Sequence, residues 1–394
     1  MAWRRSGVRI PSAPFVDCYM IRKTYLCLFI ISALLLSCGK EKSIYIGLVG
    51  SESGENSYIG TETYKSINIG INKLKKKHFK PTGNHKVELI HYNDENDPER
   101  AISEIQKLMD VDKVSAVILS TNLGSYSDKA KELAEKNKIP IISISGNFES
   151  SDKQKYIYEY RPDNTIYMEK GLSELNKSLF LKKSCYVKYQ SEEVIGLIKE
   201  PETPEYISKY IETPLTLTLT PDNLLDVVLT IKSNKDIDSV LFDGPVDEVI
   251  KFNGKCLEKG IFKPIIYLDM MERSDFTKKE LNMMKGLYIF SPIAEDTENP
   301  YLLTFIQSYY ENVGESPSIT AVLAYEALST IINSVKDVNT YDRNIIANKI
   351  ANIEPTMGIF AHIPREEKDK YKIYILKVIP IEDVAHLKII GWVD

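Results

Sequence analysis

Apolar residues in this chain come in short, nearly unbroken β-branched runs that alternate with stretches of helical spacing. Ser43–Val49 reads SIYIGLV and Val87–Tyr92 reads VELIHY, and a polar turn follows each. Between them, Tyr64, Ile67, Ile71 and Leu74 recur at the period of an amphipathic helix within Thr61–Lys77. The order then repeats as a helix from Asp97-Pro98, a strand Val114–Leu119, a helix Lys129–Lys136 and a strand Ile139–Ile144. Asp97 can cap the first of these helices, and Pro98 suits its first turn. Ala101, Ile102, Ile105, Leu108 and Met109 supply its apolar face. Beyond Tyr160 the rhythm resumes with helix Tyr167–Leu179, strand Cys185–Tyr189, helix Leu224–Ile231 and strand Ser239–Phe242. Helix Val249–Glu258 and strand Ile265–Leu268 close that half, and Thr213–Pro221 reads as an edge strand. Continuous apolar strands alternating with helices predict a parallel sheet covered on both faces. Two such halves in succession predict an α/β fold of two doubly wound lobes.

The first apolar run has a different character. Arg22-Lys23 precedes Tyr25–Leu36, and small Ser37 stands directly before Cys38. The run is shorter than the roughly 20 apolar residues a membrane-spanning helix needs. Cations, an apolar stretch and a small residue before cysteine form the layout of a lipoprotein export signal. Cleavage there would leave Cys38 as an N-terminal thiol able to carry lipid, placing the rest outside the cytoplasm on a membrane surface. Met20 heads a complete signal, so residues 1–37 are set aside and Met20 is a plausible natural start.

Residues 38–394 exceed what one core usually supports, which again points to two lobes. The export segment holds five cations and one acid, so its removal takes the formal charge from −5 to about −9. An acidic chain lacks the clustered cations that nucleic acid or an anionic membrane demands. The one lysine run, from Lys73 to Lys80, falls where a helix ends and reads as a solvated terminus. Cys185 and Cys256 have no CxxC partner, and the histidines are scattered, so two buried free thiols are expected and a zinc site has no support.

Ligands of open parallel sheets sit at the carboxyl ends of the strands. The candidate loops are therefore Gly50–Gly60, Asn93–Asp97, Ser120–Tyr126, Ser145–Ser150 and Asp243–Glu248. Gly50, Gly54 and Gly60 miss the GxGxxG spacing, and neither GxxxxGK[ST] nor GxSxG occurs. Asn93–Asp97 lacks the glycine and distant glutamate of a calcium loop and reads better as a strand end with a helix cap. These loops offer places to bind a solute and no set of groups for turning one over, so neither catalysis nor a cofactor is expected.

Several segments together resemble one family. IYIGLVGSESG, HYNDENDPERAISEIQKLMD, VSAVILS, IPIISISGN and YRPDN follow one another like the landmarks of the type I periplasmic binding proteins. The nearest branch is the leucine/isoleucine/valine-binding type that serves ABC importers. PYLLTFIQSYYENVGESPSITAVLAYEALSTII resembles that family's closing helices. The resemblance implies two lobes joined by a three-segment hinge and closing like a clamp, with residues 43–161 plus 290–338 as the first lobe and 162–289 plus 339–394 as the second. It implies an amino acid or similar small solute as ligand, an ABC permease as partner, and a membrane anchor through Cys38. Gly124 and Ser125 match the loop that holds an amino-acid carboxylate, and Gly146 and Asn147 match the next such loop. Asp163 matches the acid past the first crossover, and Glu248 the acid that takes the ammonium group. Where the family shows Tyr-Gly this chain has Val194-Ile195, so a stacking ring comes from Tyr189 or is missing. The family's frequent cysteine pair is absent, with Glu95 and Leu123 near its positions. That remodelling also fits a second implication, a degenerate clamp acting as a lipoprotein regulator or scaffold of an envelope enzyme.

Overall fold

The strands sort into two sheets, one of five strands and one of seven. The computed structural model describes residues 43–54, 57–76, 86–148, 155–162, 164–191, 201–271, 276–294, 299–338, 342–352, 373–381 and 384–393. Cys38, Asp163 and the Val194-Ile195 pair lie outside the described residues.

In the first lobe β1 (Ser43–Gly50), β2 (Lys86–Asn93), β3 (Ala116–Leu119), β4 (Ile141–Ser143) and β5 (Ile157–Glu159) form a parallel sheet ordered β2-β1-β3-β4-β5. Helices α1 (Ser57–Lys76), α2 (Pro98–Asp110) and α3 (Ser127–Asn137) return the chain between them. The α2 start behaves as its sequence requires. Asp97 accepts from the Glu99 and Arg100 amides, Pro98 occupies the first turn, and the five apolar residues named above are buried. Ile105 and Leu108 pack with Val49, Val117 and Leu119, each burial contributing about 2 kcal/mol.

The second lobe carries a seven-stranded sheet ordered β12-β11-β10-β9-β8-β6-β7. Its parallel part is β6 (Lys183–Tyr189), β7 (Glu212–Leu219), β8 (Ser239–Asp243), β9 (Ile265–Tyr267) and β10 (Leu287–Ser291). The antiparallel hairpin β11 (Ile373–Ile381) and β12 (Val384–Val393) completes it. β7 is an edge strand, as its threonine-rich sequence suggests. Helices α4 (Asn164–Leu179), α5 (Glu205–Ser208), α6 (Leu224–Ser233), α7 (Val246–Glu258) and α8 (Lys278–Met283) belong to this half. Gly171 lets α4 lie on β10, because a Cβ there would sit 2.6 Å from the Phe290 ring. Cys185 and Cys256 are free and buried, and burial pushes both thiols up to about 12.

The chain crosses between lobes after β5, after β10 and before β11. α9 (Pro300–Val313), α10 (Ile319–Val338) and α11 (Arg343–Ala351) all return to the first lobe. This moves one expected boundary. The resemblance places residues from 339 onward in the second lobe, yet α11 buries Ile346, Ala347 and Ile350 against the first. Arg343 Nε donates to the Val114 carbonyl at 2.8 Å, and Tyr158 donates its hydroxyl to the Ala347 carbonyl at 2.7 Å. The last crossover therefore falls between residues 352 and 373. Tyr156 and Tyr160 add bonds to Asn344 at 2.7 Å and Thr330 at 2.9 Å, stitching the β5 segment to the returning helices.

One buried carboxylate ties α1 to the same helices. Glu62 accepts from Tyr309 at 3.1 Å and from Ser318 at 2.5 Å. Burial raises its pKa above the ordinary 4.5 despite these bonds. A raised carboxyl favours the folded state while protonated, and that contribution is lost as pH rises through the folded value. Glu62→Gln should therefore gain melting temperature relative to wild type on going from pH 4 to pH 7. A difference that shrinks with rising pH, followed by circular dichroism, would contradict the assignment.

Candidate functional site

Parallel pairing carries every first-lobe loop of interest to one edge. Asp94, just past β2, is fully buried there and organises three of them. It accepts from Ser51 at 2.5 Å, from the Asn96 amide at 2.9 Å, and from the Thr121 hydroxyl. The loops after β1, β2 and β3 are thereby held by one carboxylate whose bonds come from fixed donors. Gly60 is needed for this arrangement, since a Cβ on it would collide with the Ser51 backbone. Asn93 supports the same corner by accepting from the Glu52 and Glu95 amides at 2.9 Å each.

Thr121 links that network to a second one around Asn147. Its carbonyl accepts from Asn147 Nδ2 at 2.7 Å and from Ser145 at 2.9 Å. Asn147 Oδ1 accepts from the Leu123 amide at 2.6 Å. Glu159 receives the amides of Asn147 at 2.9 Å and Arg161 at 3.0 Å, and its enclosed position raises its carboxyl pKa. Asn147 is thus placed among the expected loops with its side chain engaged in holding them. Gly124 and Ser125 stand exposed in a tight turn, with Gly124 at φ +50° and its amide donated to Asn122 at 2.9 Å. Gly146, at φ +77°, lies flat against Arg161, where a Cβ would sit 3.3 Å from Cδ.

Arg161 begins the first crossover and points toward the second lobe, where its Nη2 lies 3.8 Å from Asp269 Oδ1. Asp269 follows β9 and Asp243 ends β8, so both carboxylates occupy strand ends of the second sheet. Although the Asp269 side chain keeps part of its surface in solvent, the packed strand ends around its carboxyl desolvate it and raise its pKa above the ordinary 3.8, Arg161 opposing that rise and Asp243 adding to it. Asp243 accepts from Tyr186 at 2.6 Å and lies 3.6 Å from Lys188 Nζ. Tyr206 lies near both carboxylates, and burial with their charges pushes it up to about 12. Tyr58, from the first turn of α1, lies within electrostatic reach of Tyr267 in the second lobe. Side chains of the two lobes therefore confront one another across this edge.

Tyr189 and Glu248 form a separate group. Tyr189 ends β6 against Gly244, and Lys251 lies near it. Glu248, in the first turn of α7, is paired with Lys251 at 2.7 Å. The structure brings Gly146 and Asn147 to the Glu159–Arg161 corner and sets Tyr189 and Glu248 each beside Lys251, while Asp163 lies outside the described residues. Although the candidate loops include Asp94 and Asp243, sequence reasoning singled out none of the side chains of Asp94, Arg161, Asp243 and Asp269. The last two had a usable signal, since each directly ends a buried apolar run, SVLFD and IIYLD.

A family model described as periplasmic binding protein matches residues 43–371. A comparison with curated protein sequences gives no match. Among solved structures, the branched-chain amino acid substrate-binding protein LivJ of Streptococcus pneumoniae, in complex with isoleucine, superposes with a TM-score of 0.67 at 20% identity, covering 88% of this chain and 100% of that one. The leucine-binding protein LivK of Thermotoga maritima gives 0.66 at 17% identity over 89% and 99%. A solute-binding protein of an ABC transporter from Rhodopseudomonas palustris, with 3,4-dihydroxybenzoic acid, gives 0.69 at 16% identity over 89% and 97%. At these identities the likeness is one of fold.

Asp94→Ala would leave two hydroxyls and an amide without their acceptor at a buried corner, a loss on the order of 3 kcal/mol. Asp94→Asn keeps one acceptor and should cost less. Urea denaturation of both variants measures the difference, and equal stabilities would show that Asp94 does not hold the loops.

Proposed function

The chain belongs to the periplasmic binding protein family, and we propose from that premise that it is a lipid-anchored, extracytoplasmic substrate-binding protein of an ABC importer. It captures a small polar solute, an amino acid or amide, and delivers it to a membrane permease without chemical change. The supporting observation is Arg161 facing Asp269 at 3.8 Å, with their side chains 17% and 41% exposed. Opposite charges held at the meeting of two strand-end edges suit a zwitterion, which can pair with each in place of the other. The exposed Gly124-Ser125 turn assists at the carboxylate end. Tyr189 and Glu248 line the second-lobe side, and Asp163 stays a candidate at the crossover.

Closure is a population shift, so the solute must contact both lobes to favour the closed form. The moving bodies are residues 43–161 with 299–352, and residues 164–291 with 373–393. Isoleucine and 3,4-dihydroxybenzoate, bound by the LivJ and Rhodopseudomonas palustris proteins, are the first compounds to test on this chain. A second reading, a binding-protein-like lipoprotein that regulates or scaffolds an envelope enzyme, draws on the same pair, because Arg161 and Asp269 already offset each other without a guest.

Screening amino acids, amides and short organic acids by thermal shift, then calorimetry, tests the first reading. Asp269→Asn should weaken a zwitterionic ligand roughly ten- to hundredfold, and Glu248→Ala should weaken it less. Affinity should also fall as pH drops toward a value above the ordinary 3.8, where Asp269 loses its charge. Binding that is indifferent to both Asp269→Asn and pH would remove Asp269 from the site. No response to any solute would favour the scaffold reading.

A further inference from the structure

The proposed lipid-bearing residue, Cys38, is five positions from Ser43, where β1 begins. Five residues reach at most about 17 Å even when fully extended. β1 is parallel to its neighbours, so Ser43 marks the end of the first lobe opposite the cleft loops. α1 runs from the cleft to that same end over 20 residues, a distance of about 30 Å. A lipid on Cys38 would therefore hold the far end of the first lobe close to the bilayer and leave the cleft well above it.

That far end is where the topology gathers lysines. The last turns of α1 bring Lys73, the start of β2 Lys86, and the turn between α2 and β3 Lys113. The end of α3 brings Lys136 and Lys138, and Lys155 lies two residues before β5. All but Lys73 of these six are exposed. The acids at this end are Glu88, at 2.9 Å from Lys86, Asp112, accepting from Tyr92 at 2.9 Å, and the exposed Asp110, Glu135 and Asp342. The chain as a whole is acidic, at −5 over its full length, whereas at this end the six lysines and Arg343 outnumber the acids. The compositional argument against anionic membranes averages over a surface that the fold does not average. Val111, 70% exposed in the same turn as Lys113, adds an apolar side chain that can enter a headgroup layer.

We propose that this basic end of the first lobe rests on the anionic phospholipid surface that holds the lipid, setting the clamp upright with its cleft away from the bilayer. The inference rests on the lipid-anchor reading above. Each lysine close to an anionic leaflet shifts partitioning by roughly fivefold. The attraction decays over about 10 Å at moderate salt, a range the short tether enforces. The contact is thus orienting and reversible.

The test uses the full chain, expressed with its export signal, purified from membranes and reconstituted into vesicles. One set is phosphatidylcholine alone and the other an equal mixture with phosphatidylglycerol. Flotation reports anchoring, and hydrogen exchange at Val111–Lys113 and Lys136–Lys138 reports the contact, with Gly124–Tyr126 in the cleft as internal reference. Exchange at the two turns should slow several-fold only in the anionic vesicles. High salt and the triple variant Lys113→Glu, Lys136→Glu, Lys138→Glu, all at exposed positions, should abolish the slowing. Unlipidated Cys38→Ser protein should bind anionic vesicles weakly, and at least tenfold more weakly with the three reversals. Flotation with both vesicle types but identical exchange would overturn the surface contact while leaving the anchor intact. Failure to float with either would overturn the anchor, and the upright orientation with it.

Discussion

Parallel hydrogen bonding of β1 with β2 and β3 is the constraint from which the rest follows. It obliges every connection to run back along the lobe as a helix, and it sends every strand-end loop to one edge. Those loops carry polar backbone that must be satisfied near solvent, and Asp94 and Asn147 do that work from buried or half-buried positions. The second sheet obeys the same rule through β6, β8 and β9, so Asp243 and Asp269 emerge at its corresponding edge. A polar edge on each sheet is thus a product of strand direction before it is a product of any one residue.

Charge is distributed along the same axis. Opposite charges meet at the cleft, where Arg161 faces Asp269 and Lys188 lies beside Asp243. Lysines collect at the opposite end of the first lobe, around the start of β1. Neither pattern is visible in the net charge, because helices and strands deliver residues from distant parts of the sequence to each end. The crossover segment is held from the first-lobe side by the Tyr156, Tyr158 and Tyr160 hydroxyls. At this crossover the chain is therefore held to the first lobe as far as Tyr160.

Much of the fold was legible because it rests on periodicity. The α2 face from Ala101 to Met109 and the runs SIYIGLV and SVLFD announce their elements, since burial on both faces of a parallel sheet leaves little freedom of composition. The placement of α11 was not legible. Its apolar residues Ile346, Ala347 and Ile350 fit either lobe, and only Tyr158 and the Val114 carbonyl bound by Arg343 decide between them. The site was harder still. Asn93–Asp97 reads as a turn and a cap, and Asp97 is the cap, yet the pattern cannot reveal that Asp94 is inaccessible to solvent. Glu248 matched a family position, while its pairing with Lys251 arises from helix spacing that any surface helix shares.

The central claim is that the two lobes close on a common guest. The most direct measurement is the distance between spin labels at Ser125 and Asp247, one on each lobe, across a panel of amino acids, amides and organic acids. The account predicts a broad distribution that narrows to a shorter distance with at least one solute. A single distance unchanged by every solute would show that the lobes are fixed, and would contradict it.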